Sequence, residues 1–200
     1  LYPCFATRSE IRAEVQRRDT QGIKATRDPD GAPVYPGLHK GLPAAEIAAR
    51  MARGEPHALR LDMAAAIERA REISGEGRIS YVAFDEEGRE RRVVADPARW
   101  GDAVIVRKDV PASYHLAVVV DDHRQGITHV TRGQDLEAAT DLHRLLQVLF
   151  GFEAPRYHHH RLLLDERGAK LAKRSGSESL RSLREKGLTP ENIRRMVTTG

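Results

Sequence analysis

The spacing of apolar residues changes several times along the chain and predicts an alternation of helices and strands. Apolar residues four positions apart and Ala-rich stretches predict helices, whereas alternation of apolar and polar residues predicts strands that bury one face. Pro, Gly and Asp are concentrated between the first two predicted helices and indicate turns there. The helices are expected over residues 7–18, 42–53 and 64–73, the turns over 21–41, and the strands over 57–63, 79–84, 92–95 and 103–106.

The apolar content is highest in a nearly continuous run of β-branched residues at 116–120. Such a run predicts a strand buried on both faces of a parallel sheet. Asp121 and Asp122 could bind a magnesium ion, but two acids that end a buried strand are more often turn formers or caps. The remaining pattern predicts a strand at 127–131, a leucine-striped helix at 133–150 that Gly151 ends, a strand at 158–164, and two short helices at 178–186 and from Pro190 onward.

The order strand, helix, strand and basic loop is typical of an α/β nucleotide-binding fold. The loop is the stretch GAKLAKRSG, residues 168–176, in which Lys170 and Lys173 lie three positions apart. Their ammonium groups could bind a triphosphate and neutralise the charge of a leaving pyrophosphate, and an unspecialised solvated loop is the alternative. The chain contains neither G-x-x-x-x-G-K-[ST] nor G-x-G-x-x-G, so side chains would have to hold the phosphates.

Composition narrows the class of protein further. Of the 200 residues, 40% are hydrophobic and 31% are charged, which suits a folded chain with a core. The net charge of +4 permits a polyanionic partner such as nucleic acid. The single cysteine, Cys4, excludes an intrachain disulfide, and no apolar run approaches the ~20 residues that a membrane helix needs. We therefore expect a cytoplasmic protein without a membrane partner.

Three sequence blocks occur in a specific combination. They are Y-H-L-A followed by V-V-V-D-D at residues 114–122, G-I-T-H-V-T-R-G at 126–133, and K-L-A-K-R at 170–174 after a strand that contains His159. This combination resembles the second half of the catalytic domain of class I glutamyl-tRNA synthetases, whose basic signature loop is often K-L-S-K-R. The resemblance implies an α/β fold with a Rossmann-type core.

The resemblance also implies how the chain is divided. A degenerate zinc-arm region comes first and is followed by an inserted α+β region similar to an acceptor-binding region. The C-terminal half of the Rossmann-type catalytic core and a pair of helices complete the chain. These parts are expected at residues 1–40, 41–112, 113–176 and 177–200.

The beginning of the chain resembles one subfamily. Residues 2–11, YPCFATRSEI, and 35–39, YPGLH, are similar to the arm of the glutamyl-Q tRNA(Asp) synthetases. Val118 also stands where full-length glutamyl-tRNA synthetases usually carry Asn. The subfamily implies activation of glutamate by ATP, with Mg²⁺ accompanying the nucleotide, and transfer of the glutamyl group to queuosine, the modified wobble base of tRNA(Asp). We expect the protein to be a monomer.

Carried over position by position, the resemblance assigns roles to five side chains. Tyr114 and Arg132 fall where the family contacts glutamate, and a guanidinium is a natural partner of a carboxylate. Lys173 would stabilise the transition state of adenylate formation with Lys170 as its helper, and both would bind ATP together with His159. From the residues alone, Arg132 could instead be a cap or an ion-pair partner, and Tyr114 a core aromatic.

The chain departs from the family pattern at two places. Ala172 replaces the usual serine of the basic loop, and because both lysines are kept we expect only a modest loss. The family's arm often holds zinc through Cys, Cys, Tyr and Cys, whereas this chain offers Cys4, Ala6, Tyr35 and His39. Structural zinc sites almost always have four protein ligands, so we expect packing rather than Zn²⁺ to hold the arm.

The family's H-x-G-H element, which binds ATP from the opposite side, occurs nowhere in these 200 residues. We expect it before Leu1 in the native protein, and we expect these residues alone to activate glutamate poorly or not at all. Two alternatives stay open. One is a truncated glutamyl-tRNA synthetase, discriminating or non-discriminating, and the other is a non-catalytic module that binds tRNA or a nucleotide.

Overall fold

The computed structural model describes residues 1–164, 170–171 and 178–199. This part of the chain contains both helices and strands, mixed along its length. The helices are α1 (Arg8–Thr20), α2 (Ala44–Ala52), α3 (Met63–Ser74), α4 (Tyr114–Arg124), α5 (Ala139–Phe150), α6 (Leu180–Glu185) and α7 (Pro190–Thr199). The strands are β1 (Tyr2–Cys4), β2 (Ala58–Arg60), β3 (Ser80–Phe84), β4 (Glu90–Val94), β5 (Val104–Val106), β6 (His129–Gly133) and β7 (Arg156–His160), and short 3₁₀ helices cover Pro97–Trp100 and Gln134–Leu136.

The strands form two sheets. The smaller sheet is antiparallel with the order β1-β2-β5. The larger sheet has the order β4-β3-β7-β6, in which β7 pairs in parallel with both β3 and β6, and β3 and β4 form an antiparallel hairpin. The prediction of an α/β fold with parallel strands is confirmed. The larger sheet takes strands from both sides of residue 112, and the division of the chain into four parts stays a prediction.

Helix α5 lies at the centre of the main core, in contact with both α3 and α4. Its Leu142 and Leu145 are completely buried. On the sheet, the rings of Tyr81 and Tyr157 pack edge to face with centroids 5.5 Å apart. This core fixes α5 against the sheet and therefore determines which α5 side chains face β6 and β7.

The largest difference from the sequence prediction concerns residues 116–120, which are helical rather than a buried strand. Helix α4 begins after Ser113, whose hydroxyl caps it by accepting the N–H of Leu116 at 3.3 Å. Val119 points into the core and is 2% exposed. β-Branched residues lower helix propensity by less than about 1 kcal/mol each, so packing against α5 and the cap outweigh them.

Several smaller boundaries also differ from the predictions. Asp121 and Asp122 lie inside helix α4 and do not end a strand. The predicted helix from residue 133 begins with a 3₁₀ turn, and α5 itself starts at Ala139. Strand β7 ends at His160 instead of continuing to residue 164. Beyond it, Leu164 forms an isolated antiparallel bridge with Lys170, and the Leu171 N–H donates to the Leu163 carbonyl.

The ends of helices α1, α2 and α3 lie within two residues of their predicted positions. Thr7 caps α1 through a capping box, in which its hydroxyl accepts the Glu10 N–H while the Glu10 carboxylate accepts the Thr7 N–H. Gly151 ends α5 in the left-handed conformation. Within the part of the chain that the structure describes, no helix is long and apolar enough to cross a membrane.

Candidate active site

The candidate site lies at the carboxyl ends of the parallel strands β6 and β7. Arg132 on β6 is paired in register with His159 on β7. Residues paired in this way project from the same face of a sheet, and this face is the one that α5 covers. Tyr157, two residues before His159, projects from the same face, and its ring lies 5.3 Å from the guanidinium carbon of Arg132.

The Arg132 guanidinium is held by three hydrogen bonds to uncharged side chains. Nε donates to His159 Nε2 at 3.3 Å, one terminal nitrogen donates to His143 Nδ1 at 3.2 Å, and the other donates to the Thr140 hydroxyl at 2.6 Å. Among the described residues, no carboxylate oxygen lies within 4.0 Å of this guanidinium. The ion pair considered from the sequence is therefore not formed within this part of the chain.

A polar stripe on α5, consisting of Thr140, His143 and Gln147, faces the two strands. These residues are spaced i, i+3 and i+7 and lie on one side of the helix, and all three are buried. Gln147 donates to the Tyr157 hydroxyl at 2.8 Å, while the other two residues contact Arg132. This stripe was not among the site residues predicted from the sequence, although polar residues at helical spacing beside a leucine stripe are a signal for it.

Both histidines that accept from Arg132 are held neutral. Burial first, and then the positive charge of Arg132, lower the pKa of His143 to about 2. The same two causes, in the same order, lower the pKa of His159 to about 4. A protonated imidazole would place an N–H and a positive charge against the guanidinium, so neutral rings are the only forms compatible with these hydrogen bonds.

Tyr114 reaches the same cluster from the first turn of α4. Its side chain is 51% exposed, and its ring centroid lies 5.8 Å from that of His143. The neighbouring His115 bonds His143, with 3.1 Å between His115 Nδ1 and His143 Nε2. Tyr114 and His115 line a cavity of about 400 Å³, whose other walls include Trp100 and Arg107. The structure thus brings Tyr114 and Arg132 together through His143.

Lys170 lies near the end of β6, where its ammonium group forms an ion pair with Asp135. The hydrogen bond from Lys170 lowers the pKa of the Asp135 carboxyl group. A Cβ atom at Gly133 would lie 2.4 Å from Asp135 Oδ1 and 3.1 Å from a Leu162 methyl carbon, so glycine permits the close approach of these side chains. Lys173 and Ala172 lie outside the described residues.

Hydrogen bonds hold the arm for which the family pattern suggested a zinc site. His39 Nδ1 accepts the backbone N–H groups of Phe5 and Ala6, both at 3.0 Å. The Tyr35 hydroxyl accepts the His39 N–H at 2.9 Å and lies 3.3 Å from the Cys4 sulfur. Burial is the main cause that lowers the pKa of His39, which favours its neutral, accepting form.

These contacts do not fit a zinc ion at the positions that the family pattern indicates. The lone pair of His39 Nδ1 is shared by two N–H groups, and the Ala6 position supplies no ligand atom. Over residues 1–164, 170–171 and 178–199, no group of three or more His, Cys, Asp or Glu side chains could hold a metal ion. No step of the chemistry below depends on zinc.

Comparison with known proteins identifies the family. The family described as tRNA synthetases class I (E and Q), catalytic domain, matches residues 1–199. This match covers nearly the whole chain and agrees with the mixed α/β fold and its parallel strands. It defines the class as that of the class I aminoacyl-tRNA synthetase-like ligases. The chain belongs to the family of class I tRNA synthetase catalytic domains of the E and Q type.

Individual relatives narrow the comparison. The chain is 39% identical over 201 residues to the glutamyl-Q tRNA(Asp) synthetase of Rhodobacter capsulatus, covering 98% of this chain and 66% of that protein. It is 31% identical over 193 residues to the glutamate–tRNA ligase of Finegoldia magna. This match covers 96% of this chain and 35% of that protein. The chain therefore spans about two thirds of the first relative and about a third of the second.

A solved structure supports the same assignment. The chain resembles the glutamate–tRNA synthetase of Elizabethkingia anophelis with a TM-score of 0.59 and 25% sequence identity. The superposition covers 88% of this chain and 32% of that one. The described fold therefore corresponds to part of a glutamyl-tRNA synthetase catalytic domain.

Proposed function

We propose that the chain belongs to an enzyme that activates glutamate with ATP and transfers the glutamyl group to the queuosine base of tRNA(Asp). The observation that carries this proposal is the set of neutral groups around the charged Arg132 side chain. Its guanidinium is permanently charged, yet its contacts among the described residues are to neutral groups. A positive charge that has no carboxylate within 4.0 Å among the described residues, close to an exposed tyrosine, is suited to bind a small anionic substrate.

Glutamate fits this site because it has two carboxylates with different tasks. The carboxylate that reacts must reach ATP, and the other needs a fixed counter-charge. In this proposal Arg132 binds the side-chain carboxylate of glutamate. The Tyr114 hydroxyl donates a hydrogen bond to the same glutamate molecule. Binding one end of the substrate at a fixed place orients the other end for reaction, which is a large source of rate acceleration.

The first step is attack of the glutamate α-carboxylate oxygen on the α-phosphorus of ATP. The bond between that phosphorus and the bridging oxygen of pyrophosphate breaks, and glutamyl adenylate and pyrophosphate are the products. Because the nucleophile is already a carboxylate, no general base is required. In the second step a nucleophilic group of the modified base attacks the glutamyl carbonyl carbon, AMP leaves, and the proton of the nucleophile passes to solvent.

Positive side chains stabilise the first step. We assign this role to Lys173, with Lys170 as its helper. Mg²⁺ bound to ATP would help them to neutralise the negative charge of the phosphates. Lys170 is paired with Asp135 in the structure, so it must exchange that carboxylate for a phosphate oxygen when ATP binds. His159 Nε2 accepts from Arg132, so His159 could donate to a phosphate oxygen only through Nδ1. Its contribution to ATP binding stays a prediction.

The test is ATP–pyrophosphate exchange with L-glutamate, using the full-length protein. Arg132→Gln should raise the KM for glutamate by about tenfold or more, because a charge-assisted hydrogen bond is lost, and it should leave the KM for ATP within about twofold. Arg124→Gln, at an exposed position near the end of α4, is the matched control. Unchanged glutamate dependence in Arg132→Gln would contradict the assignment.

Glutamate–tRNA ligase activity towards tRNA(Glu) is the second candidate function. It is favoured by the match to the F. magna enzyme and by the fold similarity to the E. anophelis synthetase. The higher identity to a glutamyl-Q tRNA(Asp) synthetase supports queuosine as acceptor. Both candidates require the same activation step, so the acceptor tRNA distinguishes them.

A further inference from the structure

We infer that His143 and Thr140 are positioning residues for Arg132, and that His143 is the more important of the two. The inference rests on the proposed function, in which Arg132 binds glutamate. Neither residue touches a substrate in this account. Each acts by fixing the guanidinium in one orientation, while no carboxylate of the described residues pairs with its charge.

The hydrogen bonds determine the protonation of His143. A guanidinium can only donate, so His143 Nδ1 must be an unprotonated acceptor for Arg132. The proton of the neutral ring is therefore on Nε2, which lies 3.1 Å from His115 Nδ1 and donates to it. By the same argument His159 Nε2 accepts from Arg132, and the proton of His159 is on Nδ1.

These protonation states make a chain of hydrogen bonds with one direction, from Arg132 through His143 to His115. His115 Nδ1 accepts, so its remaining N–H is on Nε2. His115 and Tyr114 are neighbours in the wall of the 400 Å³ cavity. The position of Arg132 is thereby tied to the side of the cavity on which Tyr114 lies.

The choice of neutral partners has a functional consequence. A carboxylate in the place of His143 or Thr140 would hold the guanidinium as firmly but would neutralise its charge. Uncharged acceptors bind all three nitrogens of the Arg132 guanidinium and still leave its positive charge available to attract an incoming anion. Burial keeps water from competing for these bonds, since His143 is only 2% exposed and Thr140 is completely buried.

Two substitutions at one position separate positioning from packing. His143→Gln keeps a neutral acceptor and a neutral donor on the helix, whereas His143→Leu removes both. In the exchange assay with the full-length protein, His143→Leu should raise the KM for glutamate by about tenfold, with the KM for ATP within about twofold. His143→Gln should recover most of this loss. Thr140→Val should raise the glutamate KM in the same direction by a smaller factor.

Leu142→Ala is the control for a purely structural effect. Leu142 is the preceding residue of the same helix and is completely buried, but no hydrogen bond links its side chain to Arg132. This variant should lose stability and keep the glutamate KM of the parent. If Leu142→Ala raises the glutamate KM as much as His143→Leu does, or if His143→Gln fails to recover it, the inference is wrong.

A second measurement tests the hydrogen-bond arrangement around Arg132 even if the proposed function is wrong. Long-range ¹H–¹⁵N correlation spectra of ¹⁵N-histidine-labelled full-length protein report which ring nitrogen carries the proton. We expect a neutral His143 protonated on Nε2 and a neutral His159 protonated on Nδ1 at pH 7. A His143 ring that is charged or protonated on Nδ1 would overturn the inference. Absence of glutamate-dependent exchange in the parent protein, with these tautomers present, would instead contradict the proposed function.

Discussion

The neutral state of His143 predicts how the stability of the fold depends on pH. In an unfolded chain a histidine has a pKa of about 6.5. In the folded protein, burial and the charge of Arg132 lower the pKa of His143 to about 2. Below pH 6.5 the unfolded chain therefore binds a proton that the folded chain does not, and acid favours unfolding.

The size of the effect follows from the linkage between protonation and folding. The contribution of His143 is fully present above pH 6.5 and falls by about 1.4 kcal/mol for each pH unit below it. From well above pH 6.5 down to pH 4.5 the loss is about 2.7 kcal/mol, against a typical total stability of about 5–15 kcal/mol. The titratable and charged side chains that face His143 are Tyr114 and His115 on α4, Arg132 on β6 and His159 on β7.

The assay is urea unfolding of the parent protein and of His143→Gln at several values between pH 4.5 and pH 7.5. Other groups, including His159, titrate in both proteins, so the difference between the two free energies of unfolding isolates His143. This difference should be constant above pH 7. Below pH 6.5 the parent protein should lose about 1.4 kcal/mol of stability relative to His143→Gln for each pH unit. A difference that does not change with pH would refute a neutral, buried His143.

Three further predictions concern stability. His39→Ala leaves the buried N–H groups of Phe5 and Ala6 without their acceptor, so urea unfolding should show a loss of about 2–6 kcal/mol, and a loss below 1 kcal/mol would contradict the assigned bonds. Because the arm contacts do not fit zinc, excess EDTA should leave the thermal unfolding temperature unchanged, whereas a drop of several degrees would reveal a structural metal. Leu142→Ala opens a cavity beneath α5 and should cost about 2–5 kcal/mol by the same urea measurement, with a loss below 1 kcal/mol arguing against its complete burial.

Local signals were sufficient to predict several helix ends and the two strands of the β3–β4 hairpin. Capping residues act within one turn, so Thr7 specifies where α1 begins. The leucine stripe of α5 likewise determines its buried face. Such features depend on neighbouring residues in the sequence and are therefore visible in it.

The strand predicted at 116–120 shows what local signals cannot decide. A short apolar run without polar residues has no period, so it fits a buried strand and a buried helix equally well. The outcome depends on what the segment packs against, and helix α4 packs mainly against helix α5. Only the Ser113 cap three residues earlier pointed towards the helix.

The candidate site could be predicted in part. Sequence motifs indicated Arg132 and Tyr114, and the structure places them around one buried histidine. The partners of Arg132 could not be inferred from motifs, because His143 and Thr140 come from a helix that only the packed core brings against β6. Residues of this kind are found by asking which buried polar side chains share one helix face.

Glutamyl transfer to the acceptor tRNA tests the central claim most directly. The full-length protein should be incubated with ATP, radiolabelled glutamate and tRNA(Asp) that either carries queuosine or lacks it, with tRNA(Glu) in parallel. We predict incorporation of glutamate into queuosine-containing tRNA(Asp) alone, and its loss in Arg132→Gln. Incorporation into tRNA(Glu), or into tRNA(Asp) regardless of queuosine, would contradict the account.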